Sequence, residues 1–399
     1  MRALGKFICR TFYICAALCL LCACNFQYDD TGSLSQDDFK PSTTVETTSM
    51  EETTFIEETN SIEETCSIVE TESRMIRLGF AGDMNLDESW ATTQYLTKKE
   101  NGIYDCINPE LIEELTKLDV FMVNNEFTYS DRGTPTTNKL YTFRANKDRV
   151  DVLEQLGTDI VLLANNHVFD YGEDAFWDTL QVLNDAKISY VGAGKNLEEA
   201  CQPCYFDFDG FRIAYVAATK AEKYKLTPQA GVNSPGVLRC YDPELYLQVI
   251  EEASNHADYV IASVHFGTEY ECMADDSQRD LAYEMIDAGA DAVIGSHAHV
   301  LQGMEFYQDK PIVYNLGNFW FNDKDLYSCV VELELQLDIS EEEKEVSLKA
   351  VQFLPCTQYE CYTDWIQQGE KRDEILSYVE SISFGVTIDE QGIVRRIKE

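Results

Sequence analysis

Four of the five histidines in this chain lie in short polar motifs that directly follow apolar, strand-like runs. His167 belongs to A-N-N-H-V-F-D-Y-G (164–172), and His265 belongs to V-H-F-G-T-E-Y (264–270). His297 and His299 share G-S-H-A-H-V-L-Q (295–302). Neutral imidazole is a usual ligand for Zn or Fe, and residues two apart on an extended segment face the same side and can chelate.

Two carboxylates occupy similar positions upstream. Asp83 lies in F-A-G-D-M-N (80–85), and Glu126 lies in V-N-N-E-F (123–127). Carboxylates and imidazoles at successive strand ends predict one or two divalent metal ions (Mn, Zn or Fe) and a metal-dependent hydrolase. Each residue also has a structural alternative, since Asp83 after Gly82 is typical of a turn and His265 fits a hydrogen-bonded core histidine.

The elements that must position these motifs alternate between short apolar runs and amphipathic stretches. Strands are predicted at 77–81, 120–124, 160–163, 189–191, 212–217, 259–264, 292–294 and 312–315. Helices are predicted at 109–117, 150–155, 174–186, 243–255 and 276–287. This alternation is typical of an α/β sheet covered by helices, in which sites lie beyond the carboxyl ends of the strands.

The last part of the chain has a different pattern. Residues 327–337 and 345–354 alternate around an acidic turn, which predicts an antiparallel hairpin that closes the sheet. A helix at 370–379 and a small hairpin at 385–397 follow. We therefore expect the main domain to span 75–355 and a small helix-and-hairpin extension to span 356–399.

The N-terminus predicts export. A basic start precedes the apolar run 11–23, which has the length of a signal peptide and is too short to span a bilayer. The sequence L-C-A-C (21–24) resembles a bacterial lipobox, which implies a lipoprotein signal peptide at 1–23 and a lipid on Cys24. An ordinary cysteine-rich signal peptide is the alternative. We expect a protein anchored by lipid at the extracytoplasmic face of a bacterial cell membrane.

Residues 24–74 are rich in Asp, Glu, Ser and Thr and contain two basic residues, Lys40 and Arg74. Such a segment has too little apolar surface to offset its chain entropy, so it predicts a disordered acidic tether. The whole chain has a net charge of −40, which argues against nucleic acid as a partner. Of the 14 cysteines, those after Cys24 show no paired spacing, and we expect mostly buried thiols.

The ordered motifs resemble the capsule-synthesis protein CapA family, together with Y-N-L-G-N-F-W-F (314–321). The resemblance covers roughly residues 76–325 and rests on several motifs in the correct order. It implies a metallophosphoesterase-like, layered α/β/β/α sandwich of the calcineurin-like superfamily. The predicted C-terminal hairpin and small extension would complete this fold.

The resemblance also implies a role for each motif residue. Asp83 and His299 would bind the first metal, and Glu126 would bridge two metals. Asn166, His265 and His297 would bind the second metal. His167 would be an acid catalyst outside the metal shell, oriented by Asp170.

The sequence departs from the superfamily pattern at several positions. Asn85 stands where His is usual, Glu126 replaces an aspartate, and Ala298 stands where Pro is often found between the two histidines. Because an amide binds a soft divalent metal less well than imidazole, Asn85 predicts a weaker first metal site.

Arg144 and Lys220 are candidate substrate-binding cations, although surface ion pairs would explain them equally well. The expected function is surface-anchored, CapA-type hydrolysis of a phosphoester or related bond in capsule or envelope polymer metabolism. The expected partner is an anionic envelope polymer or a phosphorylated small substrate. The alternative is a non-hydrolytic accessory in poly-γ-glutamate capsule synthesis, export or anchoring, and a degenerate surface module is a third possibility.

Overall fold

A computed structural model describes residues 72–222, 226–339 and 344–397. The predicted signal peptide, Cys24 and nearly all of the predicted tether lie outside the described residues. Within these ranges, no helix has both the length and the apolar character that crossing a membrane requires.

The described strands, in chain order, are β1 (Glu72–Met84), β2 (Val120–Asn125), β3 (Thr128–Tyr129), β4 (Arg144–Ala145), β5 (Ile160–Leu162), β6 (Ser189–Val191), β7 (Ala193–Gly194), β8 (Cys204–Phe208), β9 (Phe211–Thr219), β10 (Gly236–Val237), β11 (Tyr259–His265), β12 (Ala292–Ser296), β13 (Met304–Tyr307), β14 (Lys310–Val313), β15 (Asn318–Trp320), β16 (Leu326–Ile339), β17 (Lys344–Tyr359), β18 (Tyr362–Trp365), β19 (Val386–Ile388) and β20 (Val394–Arg396). The helices are α1 (Ala91–Leu96), α2 (Pro109–Leu115), α3 (Val150–Gln155), α4 (Glu173–Ala186), α5 (Leu197–Ala200), α6 (Glu244–Ser254), α7 (Asp276–Asp287) and α8 (Glu370–Ser381), with 3-10 turns at Gly102–Asp105 and Lys147–Arg149.

Two sheets organise these elements. The first sheet has the order β18-β17-β16-β1-β2-β5-β6, and β15 also pairs with β1. The second sheet has the order β13-β14-β12-β11-β9-β8. In the first sheet β1, β2, β5 and β6 run parallel, whereas β16 pairs with β1 in the antiparallel direction. In the second sheet β9, β11, β12 and β14 run parallel.

The core lies in three layers because the central strands are apolar on both faces. Between the sheets, Phe80 of β1 and Met122 of β2 share one buried cluster with Ile261 of β11. The opposite face of β2 joins α2, α3 and α4 in a second cluster. The outer face of β9 and β11 joins α6 and α7 in a third. The predicted α/β/β/α sandwich is therefore confirmed.

The C-terminal hairpin forms as predicted, with β16 and β17 paired from Leu326↔Gln358 to Ile339↔Lys344. The expected boundary after residue 355 falls inside β17, and β18 continues the same sheet. Helix α8 contributes Ile375 and Val379 to the cluster between the sheets. The C-terminal segment therefore packs as part of the main unit. At the other end β1 begins at Glu72, inside the expected tether, because residues 72–81 pair with β16.

Candidate metal centre

Asp83, Glu126 and His299 form one group of candidate ligands. Asp83 is the penultimate residue of β1, Glu126 directly follows β2, and both are fully buried. Donor atoms of the three residues all lie within 4.8 Å of one another. Asp83 Oδ2 is 3.0 Å from His299 Nδ1.

Glu126 also belongs to a second group, with His265 and His297. His265 Nε2 lies 3.1 Å from His297 Nδ1 and 3.5 Å from Glu126 Oε1. Asn166 joins this group, because its Oδ1 is 2.8 Å from the same His265 nitrogen. Separations near 3 Å suit donor atoms that share one ion, since each metal–ligand bond measures about 2 Å. Glu126 is therefore placed to bridge two ions.

Each of the two carboxylates has one buried oxygen whose hydrogen bonding the described part of the protein does not satisfy. Asp83 Oδ2 and Glu126 Oε1 are buried, and neither makes a well-aligned hydrogen bond with the described residues, although Asp83 Oδ2 lies in ion-pair contact with His299 Nδ1 at 3.0 Å. Burial, and next the charge of Asp83, raise the pKa of Glu126 well above its usual value of 4.5. Buried oxygens of this kind are costly unless a donor or cation meets them. The residues present therefore fit divalent metal ions.

The histidines differ in their charge. Burial and neighbouring positive groups lower the pKa of His265 and of His297 well below 6.5, so both rings are neutral and available as ligands. Burial also opposes the charging of His299, but the carboxylates of Glu126 and Asp83 outweigh it and raise its pKa to about 9. The end of the site between these carboxylates thus favours a positive charge.

The segment after β12 is not extended, which corrects the chelation argument for His297 and His299. Their φ angles are 105° and 59°, positive values that residues other than glycine seldom adopt. After this turn the two rings belong to different ligand groups, so they are not placed to chelate the same ion. Backbone of this kind persists only where its surroundings hold it, and such positions cluster at functional sites.

Asparagines that the sequence analysis left without a role hold the ligands in place. Asn124 Nδ2 donates to Asp83 Oδ1 at 2.7 Å and to Glu126 Oε2 at 3.2 Å. Asn318 Oδ1 lies 2.9 Å from His299 Nδ1. Asn85 is engaged elsewhere, because its Oδ1 accepts the N–H of Asp87 at 2.8 Å. Asn124 and Asn318 lie in V-N-N-E-F (123–127) and Y-N-L-G-N-F-W-F (314–321), but the residue type asparagine does not by itself distinguish a supporting side chain from a ligand.

His167 lies outside both ligand groups. Its Nδ1 is 2.6 Å from Asp170 Oδ2, and its Nε2 is 3.9 Å from Glu126 Oε1. Asp170 Oδ2 also accepts the N–H of Phe143 at 2.8 Å. Burial lowers the pKa of His167 despite the opposing charge of Asp170. The ring is thus held by a carboxylate on one nitrogen while the other is directed toward the ligand groups.

A sequence profile for the bacterial capsule synthesis protein PGA_cap matches residues 77–323, more than half of the chain. The chain belongs to this family. The predicted family resemblance is therefore confirmed, and the matched region contains every candidate ligand.

Curated relatives agree with the profile. The PGA biosynthesis protein CapA of Bacillus subtilis (strain 168) is 37% identical over 199 residues, which cover 50% of this chain and 51% of that protein. The capsule biosynthesis protein CapA of Bacillus anthracis is 34% identical over 201 residues, covering 48% of each chain. The chain thus matches about half the length of these relatives.

Among solved structures, two nucleotidases have a backbone similar to part of this chain. A putative 5′-nucleotidase from Staphylococcus aureus has 18% identity and a TM-score of 0.46, covering 76% of this chain and 58% of that one. The NAD nucleotidase of Haemophilus influenzae has 14% identity and a TM-score of 0.40, covering 78% and 57%.

In this PGA_cap-family chain, Lys139 is a functional candidate that sequence reasoning missed. Its side chain is only 10% exposed, and its Nζ lies 2.6 Å from Asp170 Oδ1 and 3.4 Å from Glu222. The same amine donates to the backbone carbonyl of Asn166. Lys139 therefore ties the Asn166–Asp170 turn together, a contact that no local sequence pattern indicates.

The two predicted substrate-binding cations do not line the site. The Arg144 guanidinium stacks 4.2 Å from the Tyr171 ring centroid and donates to the carbonyl of Arg132 at 3.0 Å. Lys220 Nζ donates to Ser277 Oγ at 2.9 Å. Both candidates are corrected, because other contacts occupy them, and the cation in the lining of the pocket is Lys324.

A pocket of about 540 Å³ opens over His167 and His299. Its other lining residues are Trp90, Ala91, Tyr141, Phe143, Glu269, Tyr270, Phe321, Asn322, Asp323 and Lys324. The proposed acid catalyst and a ligand of the first group therefore share one cavity with aromatic walls.

Proposed function

We propose that this protein is a metal-dependent hydrolase of phosphoester or related bonds, acting in capsule or cell-envelope polymer metabolism. The observation that carries the proposal is the His167–Asp170 pair beside two ligand groups that share Glu126. A protein that only binds a polymer has no need of a carboxylate-held imidazole next to such a site.

Asp83, Glu126 and His299 would hold one ion, and Glu126, Asn166, His265 and His297 would hold a second. Divalent ions there would supply Lewis acidity and make water more acidic. Asp170 accepts a hydrogen bond from the Nδ1–H of His167, which fixes the ring and favours its protonated form against the effect of burial. In its protonated form, with a proton on each ring nitrogen, His167 delivers the Nε2 proton to the oxygen of the departing group.

The alternative is a non-hydrolytic accessory in poly-γ-glutamate synthesis, export or anchoring. The names of the Bacillus relatives favour it, since both refer to capsule or PGA biosynthesis. In that case the same residues would be structural or would bind polymer, and mutation of His167 would leave capsule formation intact.

An assay of the purified full chain separates the two. Loaded with Mn, Zn or Fe, it should hydrolyse p-nitrophenyl phosphate or bis-p-nitrophenyl phosphate, lose activity to a chelator, and regain it on metal addition. If no phosphoester is cleaved with any of these metals, the hydrolase proposal is rejected in favour of the accessory role.

We further propose that lipid on Cys24 anchors the protein at the extracytoplasmic face of the membrane, on the support of the L-C-A-C sequence. Cys24→Ser should move the protein out of the membrane fraction or leave its signal peptide uncleaved. Wild-type protein found wholly in the culture medium would refute the anchor.

A further inference from the structure

The walls of the pocket beside the metal centre are aromatic. Trp90 and Phe143 have ring centroids 5.0 Å apart, and Tyr141 stacks parallel to Phe143 at 6.4 Å. Tyr270 lies on another side, 6.0 Å from the His299 ring. Tyr141 and Tyr270 are 52% and 45% exposed, so part of each ring is open to a ligand.

These rings directly contact the residues assigned to chemistry. The Phe143 centroid is 4.5 Å from that of His167, and the Phe321 centroid is 4.5 Å from that of His299. A group held between the aromatic walls therefore lies next to the imidazole that protonates the departing oxygen. The walls are placed to recognise the leaving group of the substrate.

The pocket lining includes two exposed acids, Glu269 and Asp323, and one amine, Lys324. Lys324 Nζ already donates to the Tyr270 hydroxyl at 2.6 Å and lies 4.0 Å from its ring centroid. Ionised carboxylates only accept hydrogen bonds, so they suit hydroxyl donors. A polymer with one carboxylate per unit would instead place like charges beside Glu269 and Asp323.

We propose, on the basis of the hydrolase function above, that the pocket takes a phosphoester of a neutral, hydroxyl-bearing ring. Aromatic faces pack on the ring while Glu269 and Asp323 accept its hydroxyls. Hydrolysis forms a bond from a water oxygen to phosphorus and breaks the bond from phosphorus to the ester oxygen that joins it to the ring compound. That ester oxygen takes a proton from protonated His167, the attacking water gives up a proton to solvent, and the products are the free alcohol and inorganic phosphate.

The test compares kcat/KM of the metal-loaded full chain for glucose 1-phosphate, AMP and ringless glycerol 1-phosphate. The better of the two ring substrates should exceed glycerol 1-phosphate roughly tenfold, the size expected for one stacking contact. Comparison of glucose 1-phosphate with AMP tells whether the ring is a hexose or a nucleoside. Tyr141→Ala and Tyr270→Ala should each reduce this preference, mainly through KM. Tyr359→Ala is the matched control, because Tyr359 is 53% exposed and is not part of the pocket lining.

Binding gives a second readout that does not need turnover. Calorimetry on metal-free and metal-loaded protein should show glucose 1-phosphate or AMP binding more tightly than glycerol 1-phosphate and than tetra-γ-glutamate, with the difference reduced in Tyr270→Ala. Equal affinity for ringed and ringless phosphates, or tighter binding of tetra-γ-glutamate, would overturn the proposal. Tyrosine-dependent ring binding without hydrolysis would reject the hydrolase function and still support ring recognition.

Discussion

His167 Nδ1 lies 2.6 Å from Asp170 Oδ2, whereas neither residue belongs to the ligand groups around Glu126. The pair is buried, and Asp170 is held in turn by Lys139 and by the N–H of Phe143. In the proposed hydrolase, proton transfer and metal binding would therefore belong to different side chains, and mutation can separate them.

His167→Ala should retain bound metal while losing phosphoester turnover by on the order of 10²- to 10⁴-fold, the usual contribution of a general acid. Asp170→Asn should lose less, because it only orients and polarises the ring. An alkyl phosphate should suffer more than a nitrophenyl phosphate, whose leaving group hardly needs a proton. If His167→Ala loses bound metal as well as activity, His167 is a metal ligand and not an acid catalyst.

Metal content should follow the two ligand groups. His265→Ala combined with His297→Ala should remove the ion of the second group, and Glu126→Gln should weaken both sites because Glu126 belongs to each. Elemental analysis of the dialysed full chain measures metal per protein. His256→Ala is the control, since that histidine has a side chain 56% exposed and contacts Glu252. An unchanged metal content in the double variant would refute the ligand assignment.

Lys139→Met should lower kcat because the amine that fixes both Asp170 and the Asn166 carbonyl is gone. If Lys139 acts through Asp170, its effect and that of Asp170→Asn should be strongly non-additive in a double-mutant cycle. Lys220→Met is the control, as that cation bonds Ser277 away from the pocket lining. Fully additive losses would show that Lys139 serves only general stability.

Glu305 provides a pH dependence of stability away from the metal centre. Burial opposes its ionisation, but hydrogen bonds from Arg279, Tyr283 and Tyr314 prevail and lower its pKa below 4.5. Its charged form therefore stabilises the fold above pH 4.5, and this contribution is lost as the pH falls through the lowered pKa. The difference in thermal midpoint between wild type and Glu305→Gln should shrink from pH 7 to pH 3. A constant difference would show that ionisation of Glu305 is not the cause.

The main strands could be predicted because their sequences carry the signal locally. The strand predicted at 259–264 corresponds to β11, Tyr259–His265, since an apolar run of that length can only be buried. The hairpin of β16 and β17 could be predicted because apolar and polar residues alternate along both strands. In contrast β15 has three residues, and its pairing with β1 depends on the close approach of Gly82 to Gly317, where an added Cβ would lie 1.8 Å from a carbonyl oxygen.

The sequence indicates which candidate ligands come together, but not which side chains support them. Motifs after strand ends could be assembled because parallel strands bring their carboxyl ends to one edge. The contact of Lys139 with Asp170 joins a loop to a distant turn, and no periodicity encodes it. Arg144 and Lys220 have the charge that a substrate-binding cation needs, but the partners of a charge depend on tertiary packing, which the local sequence does not indicate.

The position of β1 between two neighbours has a mechanical consequence. Its residues from Glu72 to Ala81 form ten pairs with β16, and Leu78 to Met84 pair with β2 on the other edge. These hydrogen bonds lie across the strand axis, so tension applied at Glu72 along the strand loads them in shear, all at once. The pairs between β1 and β16 must therefore break together before the strand can slide and displace Asp83.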